Sequence, residues 1–250
     1  MIVEDVERRV WAALRPVDAV TQLPIASPMR VSGPGQRWLP NRSGLMVLHA
    51  LAEPAAQRDD LSRHEASFAA PTAVAPPVAV NVRIDDPRGL HLARRASIAV
   101  PRAHTAAADE LPDLYRPVDV PMYAAPHAPL AATWAIVRAS VSRAGTPAAG
   151  CALTVHEPGD ETRVLGRGQA DARGEAVVAV VGVAAFIASG GPSAFVRERD
   201  AELTVVFEPA ATAPPDTEAL AARSDAAVSR RTVSIVISSG RTTSLAVALP

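Results

Sequence analysis

Residues 77–89 read Pro-Val-Ala-Val-Asn-Val-Arg-Ile-Asp-Asp-Pro-Arg-Gly, and this stretch decides the fold class. Its aliphatic residues alternate with small or polar ones, which is the period of a strand with one buried face. The alternating residues are Val78, Val80, Val82 and Ile84. The turn that follows has Pro87 in its second position and Gly89 in its fourth, as in a type I turn. With a return strand over residues 90–100, the stretch predicts a β-hairpin.

The rest of the chain follows the same plan. Its 23 prolines are spread about ten residues apart, which suits short strands joined by turns and disfavours long helices. Further strands are predicted at residues 10–20, 25–31, 44–51, 116–123, 134–142, 151–156, 163–169, 175–181, 203–207, 233–237 and 245–249. One short helix is predicted from about residue 217 to 226, after an acidic cap at Asp216. The sequence therefore predicts an all-β protein.

The domain organisation is predicted from a change in composition. Residues 124–131 are small and punctuated by Pro126 and Pro129, as in a linker. We expect one β-sandwich domain over residues 1–126 and a second over residues 130–250, arranged in tandem.

A turn in the second half points to a family. Residues 169–176 read Gln-Ala-Asp-Ala-Arg-Gly-Glu-Ala, after a strand at 136–141, a turn at 145–150 and a strand at 151–155. Over about residues 135–209 this order resembles the carboxypeptidase-regulatory-like, transthyretin-like (Ig-like) β-sandwich domain, whose turn reads T-D-x-x-G-x-F. The resemblance implies a second domain of that type and a divergent first copy. It also implies an accessory role, in which such domains stabilise, space or dock.

Charge and residue usage exclude several function classes. The chain carries 25 basic and 26 acidic residues, so it lacks the positive surface that nucleic acids and anionic membranes require. All basic residues are arginine, which excludes a lysine Schiff base and a P-loop lysine. The single Cys151 excludes an intrachain disulfide. No apolar run is long enough to insert into a membrane, and the acidic N-terminus does not resemble a signal peptide. We expect a cytoplasmic protein, or part of a particle assembled in the cytoplasm.

The candidates for chemistry are few. The six histidines have no metal-ligand spacing, although a site assembled from distant residues stays open. Cys151 begins a predicted strand and is interpreted as a small buried hydrophobe. Gly166 and Gly168 lack the third glycine and the helix of a dinucleotide site. Asp171 is expected to accept backbone hydrogen bonds in its turn, since Arg173 would repel a calcium ion. We therefore expect no catalytic residues, no bound metal and no cofactor.

Basic residues supply the candidate contacts with partners. The pairs Arg94-Arg95 and Arg230-Arg231 stand at predicted strand starts and are interpreted as protecting sheet edges, with phosphate binding as the alternative. Trp38 stands in a predicted loop near Arg37 and Arg42, and these three residues are the candidate partner contacts. They would form a stacked anchor for a protein or a sugar. The alternative is that Trp38 closes the open end of the first sandwich.

Two functions fit this pattern. The first is a non-catalytic structural or docking protein that binds other protein subunits in a larger assembly. The chain is similar in layout to small two-domain proteins of phage-tail-like contractile injection particles of bacteria. The long loops at residues 53–76, 102–117 and 209–229 would order on a neighbouring subunit, or stay free. The second function is a carbohydrate- or cell-surface-binding β-sandwich module.

Overall fold

The computed structural model describes residues 11–51, 78–100, 117–183, 185–187, 194–196, 198–211 and 213–250. Strands make up most of these residues, which confirms the all-β prediction. The first seven strands are β1 Ala12–Asp18, β2 Arg30–Ser32, β3 Gln36–Pro40, β4 Met46–Leu51, β5 Val78–Asp85, β6 Arg94–Val100 and β7 Val118–Met122. The later strands are β8 Ala135–Arg143, β9 Thr146–Pro147, β10 Ala152–Glu157, β11 Asp160–Gln169, β12 Glu175–Val180, β13 Ala185–Ile187, β14 Ala194–Val196, β15 Glu198–Phe207, β16 Ser229–Ser238 and β17 Thr242–Leu249. A short helix, α1, spans Thr217–Ala221.

The chain forms two compact units whose boundaries interleave along the sequence. The first unit comprises Met1–Val17, Pro24–Ile84 and Arg95–Val120, and the second comprises Asp18–Leu23, Asp85–Arg94 and Pro121–Pro250. The segment 124–131, predicted as a linker, lies within the second unit, where Ala125 and Ala128 are buried. The division into sandwiches over 1–126 and 130–250 stays a prediction.

The described residues of the first unit form two sheets, with strand orders β3-β4-β1-β7 and β2-β5-β6. The alternation predicted in β5 is present, because Val80, Val82 and Ile84 are buried while Ala79 and Asn81 are exposed. The long predicted strand at 25–31 is reduced to β2, Arg30–Ser32.

The hairpin turn forms where it was predicted, but the return strand starts later. Gly89 has a φ of +70° and donates its N–H to the carbonyl oxygen of Asp86 at 3.0 Å. Strand β6 begins at Arg94 and not at Leu90, since Leu92 N–H donates to the Tyr123 carbonyl at 2.8 Å. Residues 90–93 therefore pair with the segment after β7 instead of with β5.

The second unit has a core between two sheets. Their strand orders are β11-β10-β15-β16 and β12-β8-β17, with β9 paired to β8, and a separate ladder joins β13 and β14. Buried residues of both sheets form one cluster, which includes Val137, Val141, Cys151, Leu153, Val178, Leu203, Val205 and Ile237. The turn at residues 238–241 does not close a hairpin, because β17 leaves β16 to pair in parallel with β8 in the other sheet.

Helix α1 covers part of the outer face of the first of these sheets. It starts where predicted, with the Asp216 carboxylate accepting the Ala219 N–H at 3.2 Å, and it ends earlier than predicted, at Ala221. Leu220 packs on Ala152 of β10 and Val206 of β15. Within the described residues, no helix is long and apolar enough to cross a membrane.

Strand β11 lies against β12 through two glycines. A Cβ atom at Gly166 would lie 2.7 Å from the Ala179 carbonyl oxygen, and one at Gly168 would lie 2.7 Å from the Val177 carbonyl oxygen. Real Cβ atoms do not approach backbone oxygen that closely, so only glycine permits this contact. The glycine pair that suggests a weak nucleotide motif therefore has a packing role.

We expect Gly168→Ala to lower the free energy of unfolding by about 1–3 kcal/mol, the usual cost of overpacking a close contact. The measurement is urea unfolding followed by circular dichroism. The control is Arg163→Ala on the same strand, whose exposed side chain predicts a change within about 0.5 kcal/mol. Equal stabilities of the glycine variant and the wild type would contradict this packing role.

Candidate functional site

A fully buried arginine organises the surroundings of helix α1. The Arg94 guanidinium donates from Nη1 to the Pro121 carbonyl at 2.7 Å and from Nη2 to Glu218 Oε2 at 2.5 Å. Asp216 Oδ1 lies 3.4 Å from the same Nη2 atom. The Arg94 Cζ atom also lies 5.5 Å from the centre of the Tyr123 ring.

Electrostatics in this cluster favour the charged arginine and the neutral phenol. Burial acts to lower the pKa of Arg94, but the hydrogen bond and the charge of Glu218 outweigh it, and the net shift is upward. Burial, followed by the charge of Glu218, raises the pKa of Tyr123. The Tyr123 hydroxyl therefore stays protonated and donates to Glu218 Oε1 at 3.0 Å.

Beside the helix, the outer face of the sheet carries a row of hydroxyl groups. Thr154 stands opposite Thr204, and Thr204 stands opposite Thr232. The Thr204 hydroxyl lies 2.9 Å from the Thr232 hydroxyl and 2.8 Å from Nε2 of the buried His156. His156 Nδ1 lies 2.9 Å from the Glu157 carbonyl, which can only accept. With a neutral imidazole, Nδ1 donates to that carbonyl, and the hydroxyls donate in sequence from Thr232 to Thr204 to His156.

Two clefts open beside this row, both within the second unit. The sheet cleft has a volume of about 240 Å³, and its polar lining is Thr154, His156, Glu161, Arg167, Thr204, Glu218 and Arg230. The turn cleft has a volume of about 290 Å³, and its polar lining includes Gln22, Tyr123 and Arg167. Arg167, Val164 and Glu218 line both clefts, so they form the ridge between them.

The charged side chains at the ridge differ in whether they have an ion-pair partner among the described residues. Glu161 forms an ion pair with Arg230, and Glu218 is engaged by Arg94 and Tyr123. Arg167, an exposed residue, makes no hydrogen bond or ion pair with any residue that the structure describes. Among the described residues, the Arg167 charge therefore has no ion-pair partner, and it is flanked by hydroxyl groups and by carboxylates that are already paired.

A second charged cluster holds the turns at residues 18–23 and 86–91. His91 Nδ1 lies 2.9 Å from Asp86 Oδ2, and His91 Nε2 lies 3.6 Å from Asp18 Oδ2. Burial acts to raise the pKa of Asp18, but hydrogen bonds from His91 and Thr21 outweigh it and lower that pKa to about 2. Burial acts to lower the pKa of His91, but the two carboxylates outweigh it and raise that pKa.

The residues predicted as partner contacts lie in the first unit. Trp38 stands in strand β3 and not in a loop, is 8% exposed, and donates from Nε1 to Gln36 Oε1 at 2.9 Å. Arg37 and Arg42 are exposed. Their role as contacts stays a prediction, and the structure gives Trp38 a place in the core.

Several other expectations have an outcome in the structure. Asp171 Oδ1 accepts the Arg173 and Glu175 amides at 2.8 and 3.0 Å, which confirms the structural interpretation of its turn. Cys151 is fully buried, which confirms the prediction of a small buried residue. This burial raises the pKa of its thiol to about 12. The edge-protection interpretation of Arg94 is wrong, since its side chain is fully buried.

Sequence reasoning missed Arg167 and Glu218 altogether. A signal for Arg167 exists in the triplet 166–168, because glycines on one face of a strand place the residue between them on the other. Nothing local to Glu218 indicates its partners, which are 124 and 95 residues away in the sequence.

Comparisons of the chain with models of protein families, with curated proteins and with solved structures find no match in any of the three. The resemblance to the carboxypeptidase-regulatory-like domain therefore stays a prediction. Among the residues that the structure describes, no group of three or more His, Cys, Asp and Glu side chains is placed to hold a metal ion.

We expect Arg94→Ala to lower the free energy of unfolding by about 1.5–3 kcal/mol, because it removes a fully buried side chain together with its hydrogen bonds to Pro121 and Glu218. Arg94→Lys should cost less, since it keeps the charge and loses only the forked geometry. Urea unfolding measures both variants, and Arg241→Ala, which changes an exposed arginine, is the control. A loss no larger than that of the control would show that the buried cluster does not stabilise the fold.

The Asp18–His91–Asp86 cluster predicts a pH window of stability. The contribution of Asp18 is present above its ordinary pKa of 3.8 and is lost as pH falls toward 2. The contribution of His91 is present below its ordinary pKa of 6.5 and is lost as pH rises through the raised folded value.

His91→Gln tests this window through unfolding free energies measured from pH 3 to pH 9. At pH 6 the variant should be less stable by about 1.5–3 kcal/mol, the value of hydrogen bonds to charged groups. The wild type should lose this advantage as pH rises above 6.5 and through the raised pKa of folded His91, whereas the variant should show no such loss. Parallel pH profiles of the two proteins would contradict the assignment.

Proposed function

We propose that this chain is a non-catalytic docking component of a larger protein assembly, built from two Ig-like, transthyretin-like sandwiches in tandem. A phage-tail-like contractile injection particle is the setting that the layout of the sequence favours. The observation that carries the proposal is the surface of strand β3 in the first unit.

Strand β3 ends its sheet among the described strands, and it combines main-chain and side-chain binding groups. Its burial pattern leaves Arg37 and Pro40 exposed beside Leu39, a large apolar residue that is 41% exposed. Arg42 is exposed just beyond the strand. A terminal strand offers N–H and carbonyl groups to another chain, and arginine beside an apolar residue is typical of interfaces.

Contacts on the buried side of β3 hold the strand, and therefore its exposed residues, in place. Trp38 points inward and is anchored by Gln36, whose Nε2 donates to the Asn81 carbonyl at 2.9 Å. A residue that is already packed costs little further ordering when a partner binds. This supports a docking role for the strand, with Arg37 and Arg42 as direct contacts and Trp38 as their support.

Two terminal strands of the second unit, β16 and β17, are less open to a partner. The Arg231 guanidinium donates to the Ala248 carbonyl at 2.6 Å, and the Thr243 hydroxyl donates to the Val236 carbonyl at 2.8 Å. Side chains thus occupy acceptors along β16 and β17 that an added strand would need. Docking through a sheet edge is therefore proposed for β3 and not for these strands.

The His156 imidazole and the Cys151 thiol of the second unit are hydrogen-bonded or buried, which favours a non-catalytic role. Both ring nitrogens of His156 have partners in Thr204 and Glu157. The Cys151 thiol is buried and has a pKa of about 12, so it is not a thiolate near neutral pH. A general base or a nucleophile needs the opposite properties.

Glycan binding is the second candidate function, and one observation favours it. The two clefts beside Arg167 present hydroxyl, carboxylate and guanidinium groups to solvent. Such polar groups match the hydroxyl groups of a sugar, although this function does not require the surface of β3.

The docking proposal is tested by the triple variant Arg37→Glu, Leu39→Asp and Arg42→Glu in the full chain, expressed in its source cell. We expect stoichiometric partner subunits to co-purify with the wild type, as measured by native mass spectrometry, and to be lost from the variant. The matched control is Arg163→Glu, Val181→Asp and Arg241→Glu, which changes exposed residues of the second unit. Co-purification of the wild type with no subunit, or equal loss from the control, would reject docking through β3.

A further inference from the structure

Arg167, whose charge is paired with no described residue, lies between two clefts of the second unit. We propose that Arg167 anchors a ligand that carries a carboxylate and several hydroxyl groups, namely a uronic acid or a related sugar acid. This proposal rests on the second candidate function, glycan binding in the same clefts, and does not depend on the docking role of β3.

The placement of Arg167 follows from the packing of its neighbours. Gly166 and Gly168 face the β12 backbone, so alternation along β11 directs Arg167 to the outer face of the sheet. There it stands opposite Thr154 of β10. The close contact with β12 holds the strand in register, and the arginine is thereby presented from a rigid element and not from a loop.

The surrounding charges select an anion. Glu161 is paired with Arg230, and Glu218 is paired with the buried Arg94, so neither carboxylate is left to attract an ammonium group. Arg167 has no such partner among the described residues. A planar guanidinium binds a carboxylate through two parallel hydrogen bonds, which makes that group the best match for a single free arginine.

Hydroxyl groups of the ligand have complementary partners next to this anchor. The Thr154 hydroxyl, half-buried in the sheet cleft, makes no hydrogen bond with a described residue and can donate or accept. Glu161 and Glu218 keep free lone pairs after pairing with arginine, and these accept from hydroxyl donors. A ligand with an acid group alone would leave these groups unused.

The size of the clefts limits the ligand to about one ring in each. Their volumes, about 240 and 290 Å³, lie below the range of about 300–1,000 Å³ that is typical of drug-sized ligands. Because paired carboxylates lie beside the anchor, a dianionic phosphate is less favoured than a singly charged carboxylate. A single sugar acid therefore fits the charge, the hydrogen bonding and the space.

The test is a titration of the full-length ¹⁵N-labelled chain with D-glucuronate, followed by amide shifts in two-dimensional NMR spectra. We expect saturable shifts at residues 164–168 and in helix α1, with a dissociation constant of about 1 mM. Glucose, acetate and glucose 6-phosphate are the comparison probes. Each should bind with a dissociation constant at least about tenfold higher than that of glucuronate.

Arg167→Ala should weaken glucuronate binding by about tenfold or more, whereas Arg163→Ala on the same strand should change it less than twofold, since that side chain lines neither cleft. Thermal unfolding confirms that both variants are folded. The proposal is overturned by the lack of saturable shifts at about 50 mM glucuronate, by equal effects of the two variants, or by tighter binding of any comparison probe. Each of these results leaves docking through β3 untouched, because that surface lies in the other unit.

Discussion

The second unit depends on the burial of one guanidinium. An arginine without water is costly unless its charge is paired and its N–H groups are bonded, so Arg94 requires Glu218, Asp216 and the Pro121 carbonyl at the same place. These groups come from distant parts of the chain. Once they meet, helix α1 is held at the outer face of the sheet, and the positions of both clefts follow.

A single strand serves both packing and recognition in this unit. The inner face of β11 is bare at Gly166 and Gly168, which permits contact with the β12 backbone. Its outer face carries Arg167, the charge that no described residue neutralises. Packing against β12 is sufficient to explain Gly166 and Gly168. Because side chains alternate along β11, Arg167 lies on the opposite face, where a ligand can reach it. The proposed docking surface on β3 is organised differently. Among the described strands, β3 is terminal, and its buried Trp38 is held by a hydrogen bond to Gln36.

The sequence predicted best where the signal is local. Alternation in β5, the Asp171 turn and the Asp216 cap each depend on residues within a few positions of one another, and all three are present. Strand β3 was missed because, as a terminal strand, it buries only Trp38 and so shows no period of two. The return strand was placed too early because residues 90–93 pair with a distant segment, which their own alternation cannot reveal.

By itself the sequence determined an all-β chain of short strands, its tight turns and the burial of Cys151, since hydrophobic period and turn chemistry act over a few residues. Only the tertiary structure decided that β17 pairs in parallel with β8, that Arg94 is buried, and that no described residue pairs with Arg167. Whether an arginine is paired depends on which carboxylates the fold brings within reach. In this protein those carboxylates lie up to 124 residues away, beyond the range of any local pattern.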